Sequence, residues 1–383
     1  MHRSALFSGL AIFAVLAESG AQPGPRLTRE DGKWVRVFYG NAPAASRLRV
    51  NTNGPVTIEG GVSKEFTYTV KVSVAARSAA EAQRVFERYA VKHEQQGQWM
   101  VFTAPGGAAT PVVALKGPKL LAVSISTSAG AIEARNIEGS LEVDSGAGEL
   151  FADKVRGQSR LVTGAGDITV GEVGGNLHCS TGGGRIDVRS VRGPAVLETN
   201  GGDIVAVDAG SSVHAETGGG GVRIGTAGGA VTAISGGGEI VVGKAGGIVT
   251  LKNMAGPVQV GAAAGVRCES VSGGIRLNQI TGPMRVQTSM GSIMASLLAI
   301  RGGDSLLATG SGDITVLIPS NVGVTVQAQN QLADSLRRIV SDFREVKIGR
   351  QGTRLIAEGP VNGGGPLLQI SGMGGTIYLK RQP

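Results

Sequence analysis

The sequence of 383 residues predicts an all-β fold, a single-stranded parallel β-solenoid (a β-helix) whose coils hold ~18 residues each. Glycine accounts for 63 residues, and one glycine column recurs with a constant spacing. An aliphatic residue follows two positions after most of these glycines, and apolar residues at i and i+2 have the period of a strand. The column consists of Gly130, Gly148, Gly166, Gly184, Gly202, Gly220, Gly238, Gly256 and Gly274. Since one unit cannot bury its apolar face alone and stacked units can, we expect about eleven coils between residues 120 and 319.

The spacing changes near the end of the repeats. Ile275 follows Val258 one position earlier than the repeat requires, and Ile314 follows Ile293 three positions later than it requires. The stretch 295–307 is therefore predicted to hold a small insertion at a corner of the solenoid.

The N-terminus has the pattern of a secretory signal peptide. Arg3 precedes a short apolar run, and small residues stand before a cleavage site after Ala21. Residues 1–21 are therefore predicted to be a signal peptide. No later segment has the ~18 unbroken apolar residues of a transmembrane helix, so the mature chain is expected to carry no transmembrane segment. We expect a periplasmic, cell-surface or secreted protein.

Two flanking regions are predicted to cap the repeats of residues 116–319. Residues 22–115 form an α+β cap, in which apolar residues alternate as a strand from Phe66 and a second strand begins at Trp99. Ser78 and Glu81 form a capping box that opens a helix extending to about His93. Caps are needed because the open strand edges of a solenoid invite aggregation.

The C-terminal cap, residues 320–383, is predicted to be β-rich. Alternating valines indicate a strand over 322–326, and a glycine-rich turn at 363–366 precedes the final strands. One short helix is predicted between them from the spacing of Leu336, Ile339, Val340 and Phe343.

Three segments carry a family resemblance. Residues 164–168 (Gly-Ala-Gly-Asp-Ile) recur as Gly-Ser-Gly-Asp-Ile at 310–314, residues 362–366 read Asn-Gly-Gly-Gly-Pro, and residues 48–56 read Leu-Arg-Val-Asn-Thr-Asn-Gly-Pro-Val. Over residues 45–380 the chain resembles the bacterial putative adhesin family with β-strand repeats, a domain of unknown function. The resemblance implies a β-solenoid and an adhesin role, and the family offers no catalytic residues to carry over.

Composition and charge narrow the function classes. An apolar share of 41% is too high for a disordered chain, and two cysteines cannot form a disulfide-rich scaffold. The net charge is +8. In an exported protein this charge fits an anionic lipopolysaccharide, phospholipid or glycan surface better than nucleic acid. The expected partners are an anionic glycan, lipopolysaccharide or a protein at the envelope. The alternative is a basic surface that only keeps the protein soluble. The oligomeric state is not indicated.

Cysteines and acidic residues do not indicate a metal or cofactor site. Cys179 and Cys268 fall in one inward column five coils apart, ~24 Å, which is too far for a disulfide. Arg185 interrupts the acidic column that includes Asp167 and Asp203, which argues against a calcium ladder. No metal and no cofactor are expected.

A hydroxyl column also repeats with the coils. It consists of Thr127, Ser145, Thr163, Thr181, Thr199, Thr217 and Ser235. By strand alternation it points inward, where hydroxyls would bond turn backbone; the alternative is an exposed ice-binding row.

The leading hypothesis is a non-enzymatic, exported cell-envelope protein, an adhesin-like or scaffold rod that binds a polymer or partner along its repeated faces. The candidate ligand contacts are the outward residues Arg160, His178, Arg189, Arg192 and Arg223. The alternative is a carbohydrate-active enzyme on a β-helix, although minimal coils leave no long loops to wall a cleft. A third possibility is a protein that handles envelope lipids or proteins through an apolar groove, for which outward Phe151 is the aromatic hint.

Overall fold

The computed structural model describes residues 27–300, 302–331 and 338–382. In this part of the chain 36 strands and one helix are found, and the predicted all-β solenoid is confirmed. The predicted signal peptide, residues 1–21, lies outside the described residues.

The N-terminal elements are β1 (Thr28–Glu30), β2 (Lys33–Ala42), β3 (Arg47–Thr52), β4 (Val56–Glu59), β5 (Phe66–Val74), α1 (Ala79–Arg88), β6 (Lys92–Gln96), β7 (Trp99–Ala104) and β8 (Ala109–Lys116). The first repeats are β9 (Ala122–Thr127), β10 (Ile132–Ile137), β11 (Ser140–Ser145), β12 (Leu150–Val155), β13 (Ser159–Thr163), β14 (Ile168–Val173), β15 (Leu177–Thr181), β16 (Ile186–Val191), β17 (Ala195–Thr199), β18 (Ile204–Ala209) and β19 (Val213–Thr217). The later repeats are β20 (Val222–Ala227), β21 (Val231–Ser235), β22 (Ile240–Ala245), β23 (Ile248–Asn253), β24 (Val258–Ala262), β25 (Gly265–Ser272), β26 (Ile275–Ile280), β27 (Met284–Met290), β28 (Ile293–Leu297), β29 (Ser305–Ser311) and β30 (Ile314–Ile318). The C-terminal elements are β31 (Val324–Gln331), β32 (Ile339–Ser341), β33 (Lys347–Gln351), β34 (Arg354–Val361), β35 (Leu367–Gly372) and β36 (Ile377–Arg381).

Each coil of the solenoid consists of two strands that belong to two facing sheets. Between β9 and β30, the odd-numbered strands pair in parallel to form sheet B and the even-numbered strands form sheet A. These are eleven coils, as predicted. The register follows the sequence repeat, so that Ile168 pairs with Ile186 and Ile186 pairs with Ile204. Each of these side chains is fully buried between the sheets, and burying one contributes ~1.5–3 kcal/mol.

The predicted insertion lies between β28 and β29. Residues 298–304 connect these strands, whereas the turns from β12 to β24 hold two to four residues. Sheet A also shows a register shift between Leu277 and Ile280 in the preceding coil. The longer connection restores the register, because Ile314 pairs with Ile293.

Corner hydroxyls and glycines link successive coils. Thr181, Thr199 and Thr217 donate from Oγ1 to the carbonyl oxygens of Gly166, Gly184 and Gly202 in the preceding coil, at 2.8, 2.9 and 2.8 Å. The predicted inward hydroxyl column is therefore confirmed. Because these hydroxyl residues are buried, the column cannot act as the exposed ice-binding row that was the alternative.

At the N-terminal end the coils do not follow chain order. Strands β3 and β4 form a coil that lies between the β9–β10 coil and a coil made later in the chain by β7 and β8. Antiparallel strands then cover this end: β5 pairs with β8 and β2, β1 pairs with β2, and β6 pairs with β7. All five side chains of β6 are exposed, and its Lys92 helps to protect the sheet edge from pairing with other chains.

Helix α1 begins as predicted but ends earlier. The backbone N–H of Glu81 donates to Ser78 Oγ at 3.2 Å. The prediction of a helix to about His93 is wrong, because the helix ends at Arg88 and Tyr89 is extended. Lys92–Gln96 instead pairs with β7, whose backbone groups would otherwise stay unpaired. No helix in the described part is long and apolar enough to cross a membrane.

At the C-terminal end the coils also do not follow chain order. Strands β35 and β36, the last in the chain, lie between the β29–β30 coil and the coil formed by β31 and β32. Antiparallel β34 and β33 complete sheet B. The prediction of a short helix is wrong over Ile339–Ser341, which forms strand β32. This segment is extended because the edge of β36 offers it hydrogen-bond partners. Leu336, which belonged to the same prediction, lies outside the described residues.

Candidate functional site

The stacking places one side chain from each of fourteen sheet B strands (β3, the odd-numbered strands from β9 to β29, β35 and β31) in a continuous line on the outer surface, which we call the outer row. Its members are Arg49, Ser124, Glu142, Arg160, His178, Val196, His214, Thr232, Thr250, Arg267, Arg285, Leu306, Gln369 and Gln327. Every member is exposed or half-buried. With strands ~4.8 Å apart, the row extends for roughly 60 Å along the rod.

The five predicted ligand contacts do not share one surface. Arg160 and His178 are register partners in the outer row. Arg189 and Arg223 lie on sheet A, in β16 and β20, and Arg192 lies in the turn after β16. The structure therefore brings two of the five together.

The sheet A arginines have acidic partners. Arg189 Nη2 contacts Glu172 Oε1, and Arg223 Nη2 contacts Glu239 Oε1. Within the described residues, Arg160 takes part in no ion pair. The charge of Arg160 is therefore more available to an external anion than that of Arg189 or Arg223.

Sequence reasoning missed two arginines of the same row. Arg267 and Arg285 are register partners in β25 and β27, and both are exposed. They are separated by one full repeat, as Arg160 and His178 are. The two arginines are not recognisable as members of the row from a constant spacing. The step from Thr250 to Arg267 is one position shorter than the repeat, which shifts the later residues out of the regular pattern.

Charge is unevenly distributed along the chain. Residues 27–119 hold 13 Lys/Arg and 7 Asp/Glu, and residues 248–382 again hold 13 and 7. Residues 120–247, the first coils, hold 9 and 14. Both ends are therefore basic and the middle is acidic, so a polyanion would be attracted most strongly to the ends.

Aspartate side chains at the corners accept hydrogen bonds from backbone amides. The N–H of Arg185 donates to Asp167 Oδ1 at 2.8 Å, and the N–H of Gly221 donates to Asp203 Oδ1 at 2.8 Å. Each carboxylate thus bonds a backbone amide one coil further on. In the described ranges, no group of three or more His, Cys, Asp or Glu residues is placed to hold a metal ion.

Exposed apolar side chains occur at or just after the ends of the sheet B strands β23, β25 and β27. Met254, Val271 and Met290 are 64%, 49% and 57% exposed. Phe151 on sheet A is half-buried, and the guanidinium of Arg135 lies 4.5 Å from the centre of its ring. Phe151, the aromatic residue that suggested an apolar groove, is therefore partly covered by a guanidinium group.

The two cysteines are free and buried, as predicted. Cys179 pairs with Leu197 and Cys268 pairs with Leu251 in one inward column. Burial raises the pKa of the Cys268 thiol to about 12, with a smaller contribution from Glu269, and raises the pKa of Cys179 further.

We expect neither thiol to react in the folded protein. At pH 8 a thiol with a pKa of about 12 contains almost no thiolate, the reactive form. Native protein mixed with a thiol reagent such as iodoacetamide should therefore stay unlabelled, and protein in denaturant should take up two labels. Labelling of native protein within minutes, or a disulfide-linked peptide in the mass spectrum, would contradict the buried free thiols.

The fold and the outer row define a class of protein, a capped parallel β-solenoid with short turns and an uninterrupted exposed row. No family model matches the chain, and no curated protein matches it. Among solved structures it is similar to a putative adhesin from Bacteroides fragilis, with 11% identity, 91% of this chain and 97% of that chain covered, and a TM-score of 0.30. It is also similar to a putative cell adhesion protein from Clostridium sporogenes, with 10% identity, coverage of 91% and 100%, and a TM-score of 0.17. Both descriptions agree with the family resemblance of the sequence.

Proposed function

We propose that this protein is an exported, non-enzymatic, adhesin-like or scaffold rod of the cell envelope that holds a polymer or partner along its outer row. The observation that supports the proposal is the continuity of that row over the eleven coils and into both end regions. Many weak contacts at a regular spacing add up when one ligand chain engages them together.

The chemistry of the row favours a polar, anionic partner such as a glycan or lipopolysaccharide. Arg160 and His178 are the proposed contacts in the first coils, and Arg189, Arg192 and Arg223 stay predictions. The acidic middle of the chain is more unfavourable for nucleic acid than for a glycan with fewer charges, because closely spaced phosphates would meet more of the carboxylates on the same sheet, such as Glu142 and Glu216.

The surface of sheet B is also unfavourable for catalysis. Glu198 and Glu216 are register partners, the nearest feature to a pair of catalytic carboxylates. The turns beside them hold three or four residues, so they provide no wall that would exclude water from a substrate. A carbohydrate-active enzyme remains the alternative. An enzyme of this class would release reducing ends from an acidic polysaccharide.

The first test is the location of the native protein. Intact cells would be treated with protease while an antibody follows the protein, and a parallel sample would be fractionated. Digestion on intact cells is the expected result for an adhesin. Protection until the periplasm is released would contradict surface adhesion and favour an internal envelope scaffold, and recovery in the cytoplasm would overturn both. Reducing-end release that Glu216→Gln abolishes would replace the binding role with the enzyme.

A further inference from the structure

The most unusual pair in the outer row consists of two arginines side by side. Arg267 and Arg285 are register partners in neighbouring parallel strands, ~4.8 Å apart along the rod. Among the described residues, neither is in an ion pair with N···O within 4.0 Å. Like charges held directly opposite each other repel. An anion placed between the two guanidinium groups would attract both of them and so offset that repulsion.

The two acidic residues near the pair form no ion pair with either arginine among the described residues. Asp304 lines the same groove, but its Oδ1 accepts the backbone N–H of Leu367 at 2.9 Å. Glu269 lies two residues after Arg267 and is the register partner of Lys252. The two guanidinium groups thus keep donors for an external ligand, and their planar forks suit carboxylate or sulfate oxygens.

The surroundings indicate an extended ligand. The arginines border a shallow open groove of about 280 Å³, with Ile248, Pro283 and Leu306 in its lining. Ile248 is 43% exposed. Apolar side chains beside charged donors suit sugar rings, which present C–H groups on one face and polar groups at the edge.

The three members of the row beyond the arginines are uncharged, and the next register partners, Glu358 in β34 and Lys347 in β33, are charged. Leu306 is followed by Gln369 and Gln327, which are register partners, and both amides are exposed. Each amide offers donors and acceptors to hydroxyl groups. A ligand along this line therefore meets two cations and then two neutral amides.

We propose that Arg267, Arg285, Gln369 and Gln327 form a binding site for an acidic polysaccharide, with carboxylate or sulfate groups at the arginines and neutral hydroxyls at the glutamines. This inference rests on the proposed function and places its principal contact in the C-terminal coils. A uniformly charged polyphosphate fits less well, because its phosphates over Leu306, Gln369 and Gln327 would meet no cation and the next side chain, Glu358, would repel them.

Purified residues 22–383 and their variants provide the test. Binding of polygalacturonate, dextran sulfate, neutral dextran and polyphosphate would be measured by biolayer interferometry at two salt concentrations. Arg267→Gln/Arg285→Gln is the site variant. Arg276→Gln/Lys244→Gln is the matched control, because both residues are exposed on sheet A and the change in net charge is the same.

We expect the site variant to bind polygalacturonate or dextran sulfate at least about tenfold more weakly, and the control to change less than about twofold. The preference between these two ligands identifies carboxylate or sulfate as the recognised group. Arg285→Lys keeps the charge without the fork and should be intermediate. Salt should weaken binding by wild type more than binding by the site variant.

Other results overturn the assignment in distinguishable ways. If wild type binds the acidic polysaccharides and both double variants bind them equally well or equally poorly, the site is wrong and the proposed function stands. If the same arginines are needed for equally tight polyphosphate binding, the site belongs to phosphate polymers. If wild type binds none of the ligands, the site and a glycan-binding function both fail.

Discussion

Removing the last two strands should open the C-terminal end of the solenoid. Truncation after Gly365 deletes β35 and β36, each of which pairs with strands on both sides. Their four inward side chains are at most 1% exposed: Leu368, Ile370, Ile377 and Leu379. At ~1.5–3 kcal/mol for each, this layer contributes on the order of 6–12 kcal/mol, as much as the whole stability of many domains.

We expect the truncated protein to lose order in its C-terminal coils and to self-associate through the exposed edges of β29 and β30. The middle coils should keep their β-structure, since each repeat is stabilised mainly by its neighbours. Light scattering after size exclusion would detect association, and hydrogen exchange with mass spectrometry would locate the lost order. A chain truncated after Arg381 keeps β36 and serves as the control. A monomeric truncation after Gly365 with native exchange rates in β29 would contradict the role of the last strands.

Replacing one corner glycine with alanine should destabilise the protein far more than replacing its neighbour. A Cβ at Gly220 would lie 2.1 Å from the carbonyl oxygen of Gly202, where no atom fits. The corner would have to move apart, which would weaken the bonds from the Gly220 N–H to Thr217 Oγ1 and from Ser235 Oγ to the Gly220 oxygen, now 3.1 and 2.8 Å long. We expect a loss of about 3 kcal/mol in the free energy of unfolding.

The matched control is Gly219→Ala. At this position the nearest atom to a Cβ is the Gly201 carbonyl oxygen at 3.8 Å, an ordinary contact. The free energy of unfolding should change by no more than about 0.5 kcal/mol. Urea denaturation followed by circular dichroism would compare the two variants with wild type. Equal stability of the two variants would show that coil spacing at this corner is not set by glycine.

The sequence predicted the middle of the fold well because stacking repeats the chain's own period. Leu161, Cys179 and Leu197 are one repeat apart in the chain, and because each coil holds one repeat, they must lie above one another. The same periodicity predicted the inward hydroxyls and the separated cysteines. The ends could not be predicted this way, because the neighbours of β3 and β35 are decided by which sheet edges remain open and not by distance along the chain.

The candidate site was predictable only in part. Alternation identified Arg160 and His178 as outward neighbours, but it could not show that Arg189 lies on the opposite sheet beside Glu172. Arg267 and Arg285 required the register to be followed through a coil that is one position shorter than the others. Gln369 and Gln327 required the inserted last coil, which brings the end of the chain back between two earlier coils.

That inserted coil also has a mechanical consequence. A pull on the C-terminus acts along β36, which is hydrogen-bonded to β30 on one side and β32 on the other. Because the strand lies between two layers, it cannot peel away one bond at a time, and a pull along its axis strains both ladders in shear together. The β3–β4 coil near the opposite end is also bonded on both sides, but a pull on that end of the chain acts first on β1 and β2. A rod fastened at one end while a tethered polymer drags on its side would therefore resist unravelling from its C-terminal end.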